Sequence, residues 1–168
     1  QEAMWNTRPR PREVTGATVV LVGLGSIGRE IAKRASALGM RVIAVREHPE
    51  KGSVPGVAEV LGPAQLDDAL PQADFVVLAT PITAETRNLI NASRLARMKP
   101  DASLINVGRG PLVDEAALAV ALRTHKIGGA ALDVFEKEPL PESSPLWALE
   151  NMLITPHTAA VTESLWER

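Results

Sequence analysis

Short apolar runs alternate with amphipathic stretches along almost the whole chain. The first run, "TVVLVG" (18–23), is apolar at nearly every position and rich in β-branched residues, which suits a strand buried on both faces. "SIGREIAKRASALG" (26–39) then spaces Ile27, Ile31, Ala35 and Leu38 at helical intervals, with Gly39 as its stop. "MRVIAV" (40–45) predicts a second strand and "GVAEVL" (56–61) a shorter third. "AQLDDALPQA" (64–73) is a helical piece cut short by Pro71, and "DFVVLAT" (74–80) is another buried strand. "NASRLARMKP" (91–100) reads as a short helix capped by Asn91 or Ser93 and ended by Lys99-Pro100. "ASLINV" (102–107), "GGAALDVF" (128–135) and "NMLITP" (151–156) predict strands; "VDEAALAVALRTHK" (113–126) is a helix opened by acids and closed by bases. Strands alternating with helices predict an α/β fold with a doubly wound parallel sheet. That unit runs from 16 to 161. Before it, residues 1–15 interleave Arg8, Arg10 and Arg12 with Pro9 and Pro11 and read as an extended linker or arm. After it, "TESLWER" (162–168) reads as the first turns of a truncated helix.

Composition narrows the classes of function. The chain has 168 residues, 45% of them apolar and 23% charged, with a net charge of −2. That balance gives no electrostatic case for a nucleic-acid or membrane partner. No apolar run approaches the roughly 18 to 20 residues that cross a bilayer, and the N-terminus lacks a signal-peptide pattern. Cysteine is absent, so disulfides, thiol catalysis and Cys-ligated metal are excluded, and no metal site is expected. The composition suits a cytoplasmic protein. With His48, His125 and His157 the only histidines and no tyrosine, few groups can move protons near neutral pH.

Gly23, Gly25 and Gly28 in "VLVGLGSIGRE" (20–30) follow a predicted strand and open a predicted helix. In a dinucleotide-binding turn the first glycine allows the tight bend, the second lets backbone approach a pyrophosphate, and the third lets helix and strand pack closely. Amides around Ser26 and Ile27 would then face the anion. The second strand leads into Arg46, followed by Glu47 and His48, where an acid would normally hold the adenosine ribose. A guanidinium there suits a 2′-phosphate, so NADP(H) is favoured over NAD(H). The alternative is that Glu47 reaches the ribose after a small register shift.

Three further clusters fall just past predicted strand ends. "INVGRGPLVD" (105–114) carries Arg109, "LDVFEKEPLP" (132–141) carries Asp133, Glu136 and Glu138, and "LITPHTAA" (153–160) carries His157. A parallel sheet puts all of these on the edge of the glycine turn. An arginine, a carboxylate and a histidine together suggest hydride transfer to a 2-oxo acid. The guanidinium matches the substrate carboxylate and polarises its carbonyl. The imidazolium donates a proton, and a carboxylate beside it favours the charged ring.

The motifs "VGLGSIGREIAKRASALGM", "ATPITAETRNLIN", "MKPDASLINVGRGPLVDEAALAVAL", "GGAALDVFEKEPLP" and "ITPHTAA" resemble the cofactor-binding domain of D-isomer-specific 2-hydroxyacid dehydrogenases, a Rossmann NAD(P)-binding fold. Within that family the glyoxylate/hydroxypyruvate reductases are most similar, with "PESSPLW" as a weaker sign. The resemblance implies Arg109 as the binder of substrate carboxylate and carbonyl, His157 as acid/base and Glu138 as its partner. It gives the pyrophosphate to Ser26 and Ile27, the adenosine and ribose side to Thr80 and Pro81, and the nicotinamide amide to Asp133. Arg46 departs from the family's usual aspartate. The resemblance also implies a homodimer and a second, substrate-binding domain, absent from this chain. The chain alone is therefore expected to bind a dinucleotide and to turn over little or no substrate. Dinucleotide-sensing corepressors of the C-terminal-binding-protein type resemble the same family and are the rival reading, followed by a non-catalytic NAD(P)-binding module.

Overall fold

The computed structural model describes residues 13–161, so the expectations placed on residues 1–12 and on 162–168 lie outside the described residues. Seven strands run parallel in one sheet. In chain order they are β1 (Thr18–Val22), β2 (Arg41–Val45), β3 (Glu59–Leu61), β4 (Phe75–Leu78), β5 (Ser103–Asn106), β6 (Gly129–Leu132) and β7 (Met152–Ile154). Across the sheet the order is β3-β2-β1-β4-β5-β6-β7. The chain winds outward from β1 to β3, then restarts beside β1 at β4, which makes the gap above β1 and β4 the topological switch point. Among the described residues four α-helices accompany the strands: α1 (Ser26–Ala37), α2 (Leu66–Ala69), α3 (Ala92–Leu95) and α4 (Glu115–Arg123).

The near-continuous apolar runs form strands because both sheet faces are covered. On one face Val19 and Leu21 pack with Ala32 and Ala35 of α1; on the other Val20 and Val22 join a larger core with Leu104, Leu118 and Leu122. Leu21, Ile43, Leu78 and Leu104 are fully buried. Each such side chain contributes about 1.5–3 kcal/mol relative to exposure. At the opposite edge from the strand tips, buried Asp74 accepts the Thr18 amide at 2.6 Å and the Lys99 ammonium at 2.8 Å.

Every expected strand is present, most of them trimmed at the tips. The helix expected over 91–100 is a single turn, and its cap is Asn91, whose side chain accepts from the Arg94 amide at 3.1 Å. Beyond it the backbone tightens to i→i−3 bonds, Arg97 to Arg94 and Met98 to Leu95. That winding drops Met98 into the core and leaves Lys99 against Asp74, so tertiary packing outweighs helical propensity in this stretch.

Candidate active site

All the strand tips open on one edge. The amides of Gly23, Ala79, Val107, Asp133 and Thr155 donate to Val45, Val22, Leu78, Asn106 and Leu132 of the neighbouring strands, at 2.8–3.2 Å. The loops bearing the glycines, Thr80, Arg109, Asp133 and His157 therefore start level with one another.

The three glycines of the first loop differ in what constrains them. Gly23 sits at φ 101, and a Cβ there would lie 2.4 Å from the Ala79 carbonyl oxygen; at Gly28 it would lie 2.1 Å from the Gly23 oxygen. A Cβ on Gly25 would meet nothing within 4 Å. The protein's own packing thus demands the first and third glycines but not the second. Helix α1 begins at Ser26 with no side-chain cap and no acid in its first turn. Its first amides, those of exposed Ser26 and Ile27, are left with the partial positive charge that suits an anion. Gly23, Gly25, Arg46, Thr80 and Pro81 line a common cleft of about 390 Å³. Arg46 turns its guanidinium back on the following loop, with Nη2 donating to Gly52 O at 2.7 Å and to Pro49 O at 3.5 Å. Its Nε is buried without an acceptor. An unmet buried donor costs about 1–3 kcal/mol, and an anion that draws this side chain round would supply the missing acceptor. Bare helix amides, an unfilled space over Gly25 and a guanidinium in want of an acceptor together fit a dinucleotide.

At the other end of the edge, His157 Nδ1 lies 2.8 Å from Glu138 Oε2. Glu138 Oε1 accepts the Phe135 amide at 2.9 Å, which fixes the carboxylate from its own turn. His157 is in the left-handed region at φ 54, a conformation a non-glycine residue adopts only under constraint. Asp133 supplies that constraint. Its carbonyl accepts the His157 amide at 2.8 Å, and its carboxylate accepts the Thr155 hydroxyl at 2.6 Å and the Thr158 and Ala159 amides at 2.8 and 3.0 Å. Asn106, fully buried at the tip of β5, plays the same part for Arg109: it donates to the Arg109 carbonyl at 2.9 Å and accepts the Gly108 amide at 3.0 Å. The Arg109 side chain is exposed, with Nη1 on the Gly108 carbonyl at 2.7 Å. A second cavity of about 410 Å³, mostly apolar, lies beside His157 between Phe135, Leu140, Trp147 and Pro156. Asn106 and Thr155 escaped the sequence reading. A polar residue at the end of an otherwise apolar strand was the available signal, because buried polar groups require partners.

Two of these carboxyls titrate low. Glu138 falls below the ordinary glutamate value because His157, then the Phe135 amide, hydrogen-bond its charged form. Burial opposes ionisation of Asp133, but the Thr155 hydroxyl and the Ala159 and Thr158 amides outweigh it, and its value falls as well. A depressed carboxyl contributes stability that is present above its unfolded value, about 4, and is lost as pH drops through the lower folded one. Resistance to denaturant is therefore expected to fall as pH drops below about 4, and Asp133→Asn to flatten that slope. An unchanged slope in the variant would show that Asp133 is not a source of the acid sensitivity.

Among the described residues no three His, Asp or Glu side chains gather as a metal site, and no helix is long and apolar enough to cross a membrane. The family model for the D-isomer specific 2-hydroxyacid dehydrogenase, NAD binding domain, matches residues 1–159. An (S)-sulfolactate dehydrogenase of Chromohalobacter salexigens is 45% identical over 93% of this chain and 50% of its own length. A glyoxylate reductase of Thermococcus onnurineus is 43% identical over 89% of this chain and 44% of its own. A solved D-isomer specific 2-hydroxyacid dehydrogenase from Xanthobacter autotrophicus, in complex with NADPH and MES, superposes with a TM-score of 0.86 at 43% identity, covering 94% of this chain and 64% of that one. The chain spans about half the length of the curated relatives it matches. A parallel sheet wound from a switch point, a glycine turn beneath a bare helix end and this sequence match lead to one conclusion: the chain belongs to the D-isomer specific 2-hydroxyacid dehydrogenase family, of which it carries the NAD-binding domain.

Proposed function

We propose that the chain is the cofactor half of an oxidoreductase that reduces a 2-oxo acid of the glyoxylate or hydroxypyruvate type to the D-2-hydroxy acid, with NADP(H) favoured over NAD(H). A substrate-binding half completes the cleft, the working unit is a homodimer in the cytoplasm, and this half alone turns over little substrate. The observation that carries the reading is the 2.8 Å Glu138–His157 pair, on the same sheet edge as a glycine turn whose middle glycine the protein itself does not need. The chemistry a dinucleotide supplies when bound is hydride delivery to the carbonyl carbon. Ser26 and Ile27 amides would hold its pyrophosphate, Thr80 and Pro81 would line its adenosine and ribose side, and Asp133 would meet the nicotinamide amide. Arg109 presents paired donors to the substrate carboxylate and polarises the adjacent carbonyl. His157 gives a proton to the carbonyl oxygen from Nε2, since Nδ1 faces Glu138; the proton becomes that of the product hydroxyl.

Titration of the chain with NADPH and NADH, followed by nicotinamide fluorescence, tests the cofactor assignment. Gly25→Ala is expected to weaken both dinucleotides about tenfold, as for one lost close contact of about 1.4 kcal/mol, without changing stability. Arg46→Asp is expected to weaken NADPH and spare or strengthen NADH. If Arg46→Asp leaves the ratio of the two affinities unchanged, Arg46 does not read the 2′-phosphate.

A further inference from the structure

We propose that Glu115 is a positioning residue for the acid/base pair, acting on His157 through the turn that bears Glu138; the idea rests on the reading of that pair given above. Glu115 is the first residue of α4, where its charge suits the helix dipole, but its hydrogen bond is not made to its own helix. Asp114 caps α4 already, accepting the Ala117 amide at 2.9 Å. The Glu115 carboxylate instead leaves the helix and accepts the Glu136 amide, 21 residues further along the chain, at 2.6 Å. That amide lies inside the turn whose end is Glu138.

The start of the turn packs on Gly110, but beyond Glu136 its hydrogen-bonded ties are few. Residues 136–139 are exposed and belong to no helix or strand. The amides of Phe135 and Glu136 go to carboxylates, those of Glu138 and Glu115, rather than to backbone carbonyls. The Glu138 end is closed by its own residue, so it holds the turn's shape but not its place. Glu115 ties that shape to α4, which also follows the Arg109 loop. The tie is made at a cost, because half-burial pushes the Glu115 carboxyl above the ordinary glutamate value, with the Glu136 amide lowering it and the Glu136 charge raising it further. Arg87 sits 3.8 Å from the Glu136 carboxylate and is the nearby cation. With Asp114 as its cap, α4 needs only the charge of Glu115 and not its hydrogen bond, which is free for the far turn. Fixing the far turn gives the residue its use.

The test reads the pair directly in the chain by NMR, without turnover. Nitrogen shifts of the His157 ring at high pH report which nitrogen keeps its proton, and carbon shifts of the Glu138 carboxyl report its titration. With the turn in place the neutral ring holds its proton on Nδ1, toward Glu138. Glu115→Ala and Glu115→Asp, the latter keeping the charge on a side chain one methylene shorter, are expected to shift the ring toward the Nε2–H form and to raise the Glu138 titration toward the ordinary value. Glu115→Gln keeps an acceptor of the same reach and is expected to retain both readouts. Loss of folding would remove them from all variants alike, so the contrast between Gln and Asp, both folded, decides. The proposal is overturned if Glu115→Ala leaves both readouts at their native values, or if Glu115→Gln disturbs them as much as alanine does. If the native ring already favours Nε2–H and Glu138→Gln does not change it, the Glu138–His157 pair itself is refuted, which is a separate result.

Discussion

Gly110→Ala is expected to lower the melting temperature of the chain by roughly 6–12 °C, the equivalent of about 3 kcal/mol. A Cβ at Gly110 would lie 1.8 Å from the Phe135 carbonyl carbon, 1.9 Å from its oxygen and 2.4 Å from the Glu136 nitrogen. All three are backbone atoms, so no rotamer change relieves the overlap. The Gly110 side cannot retreat either. Leu112 is fully buried, and Pro111 and Leu112 carbonyls accept the Asn88 and Ile90 amides at 2.8 and 2.9 Å. Phe135 is itself 5% exposed and packed in the larger core. Separation of the two strands of backbone must therefore move the Arg109 loop away from the turn bearing Glu138. Thermal unfolding checks the prediction, with Gly25→Ala as the control because its Cβ has open space. A fall of less than about 2 °C, under 1 kcal/mol, would mean that the two loops yield easily and that their spacing is not fixed by this contact.

The same contact shows where sequence reading stops. Period and composition located all seven strands, because a strand buried on both faces declares itself as an apolar run bounded by turn residues. The glycine turn was legible for a similar reason: each glycine answers a local demand of bend or approach. Arg109, Glu138 and His157 were expected from their places past strand ends, and the structure brings Glu138 and His157 to 2.8 Å of each other. What holds them was not legible. Asn106 holds the Arg109 loop by bonds to Gly108 and Arg109, Thr155 bonds the Asp133 carboxylate and Glu115 the Glu136 amide; the last two partners lie 22 and 21 residues away, where local pattern does not reach. The 91–100 segment was misjudged in length because the burial of Met98 and the Lys99–Asp74 pair are tertiary facts that helical propensity does not contain. Arg46 stands between the two cases: its identity suggested an anion, while its guanidinium lies on the Gly52 and Pro49 carbonyls, which no local pattern foretold.

His157→Asn, made in protein that includes the substrate-binding half, is expected to lower kcat for 2-oxo acid reduction by about two to four orders of magnitude. The dinucleotide Kd should stay at its native value. The argument is geometric. Asp133 pins the backbone of His157 at φ 54, so asparagine, which tolerates the left-handed region, takes the position without unfolding the loop. Its side chain can still reach toward Glu138 but offers no titratable proton to a carbonyl oxygen. Hydride arriving at carbon would then leave an alkoxide to be neutralised by water or by Arg109 alone, and the guanidinium holds its proton too tightly to donate it. Glu138→Gln is expected to cost less, because the imidazole remains and the amide can still accept the Nδ1 proton that orients it. Steady-state rates for glyoxylate, hydroxypyruvate and pyruvate, with dinucleotide affinity measured in parallel, separate the two effects. If His157→Asn kept more than about a tenth of kcat, the proton would have to come from elsewhere and the 2.8 Å pair would be a structural feature of the loop rather than the acid of the reaction.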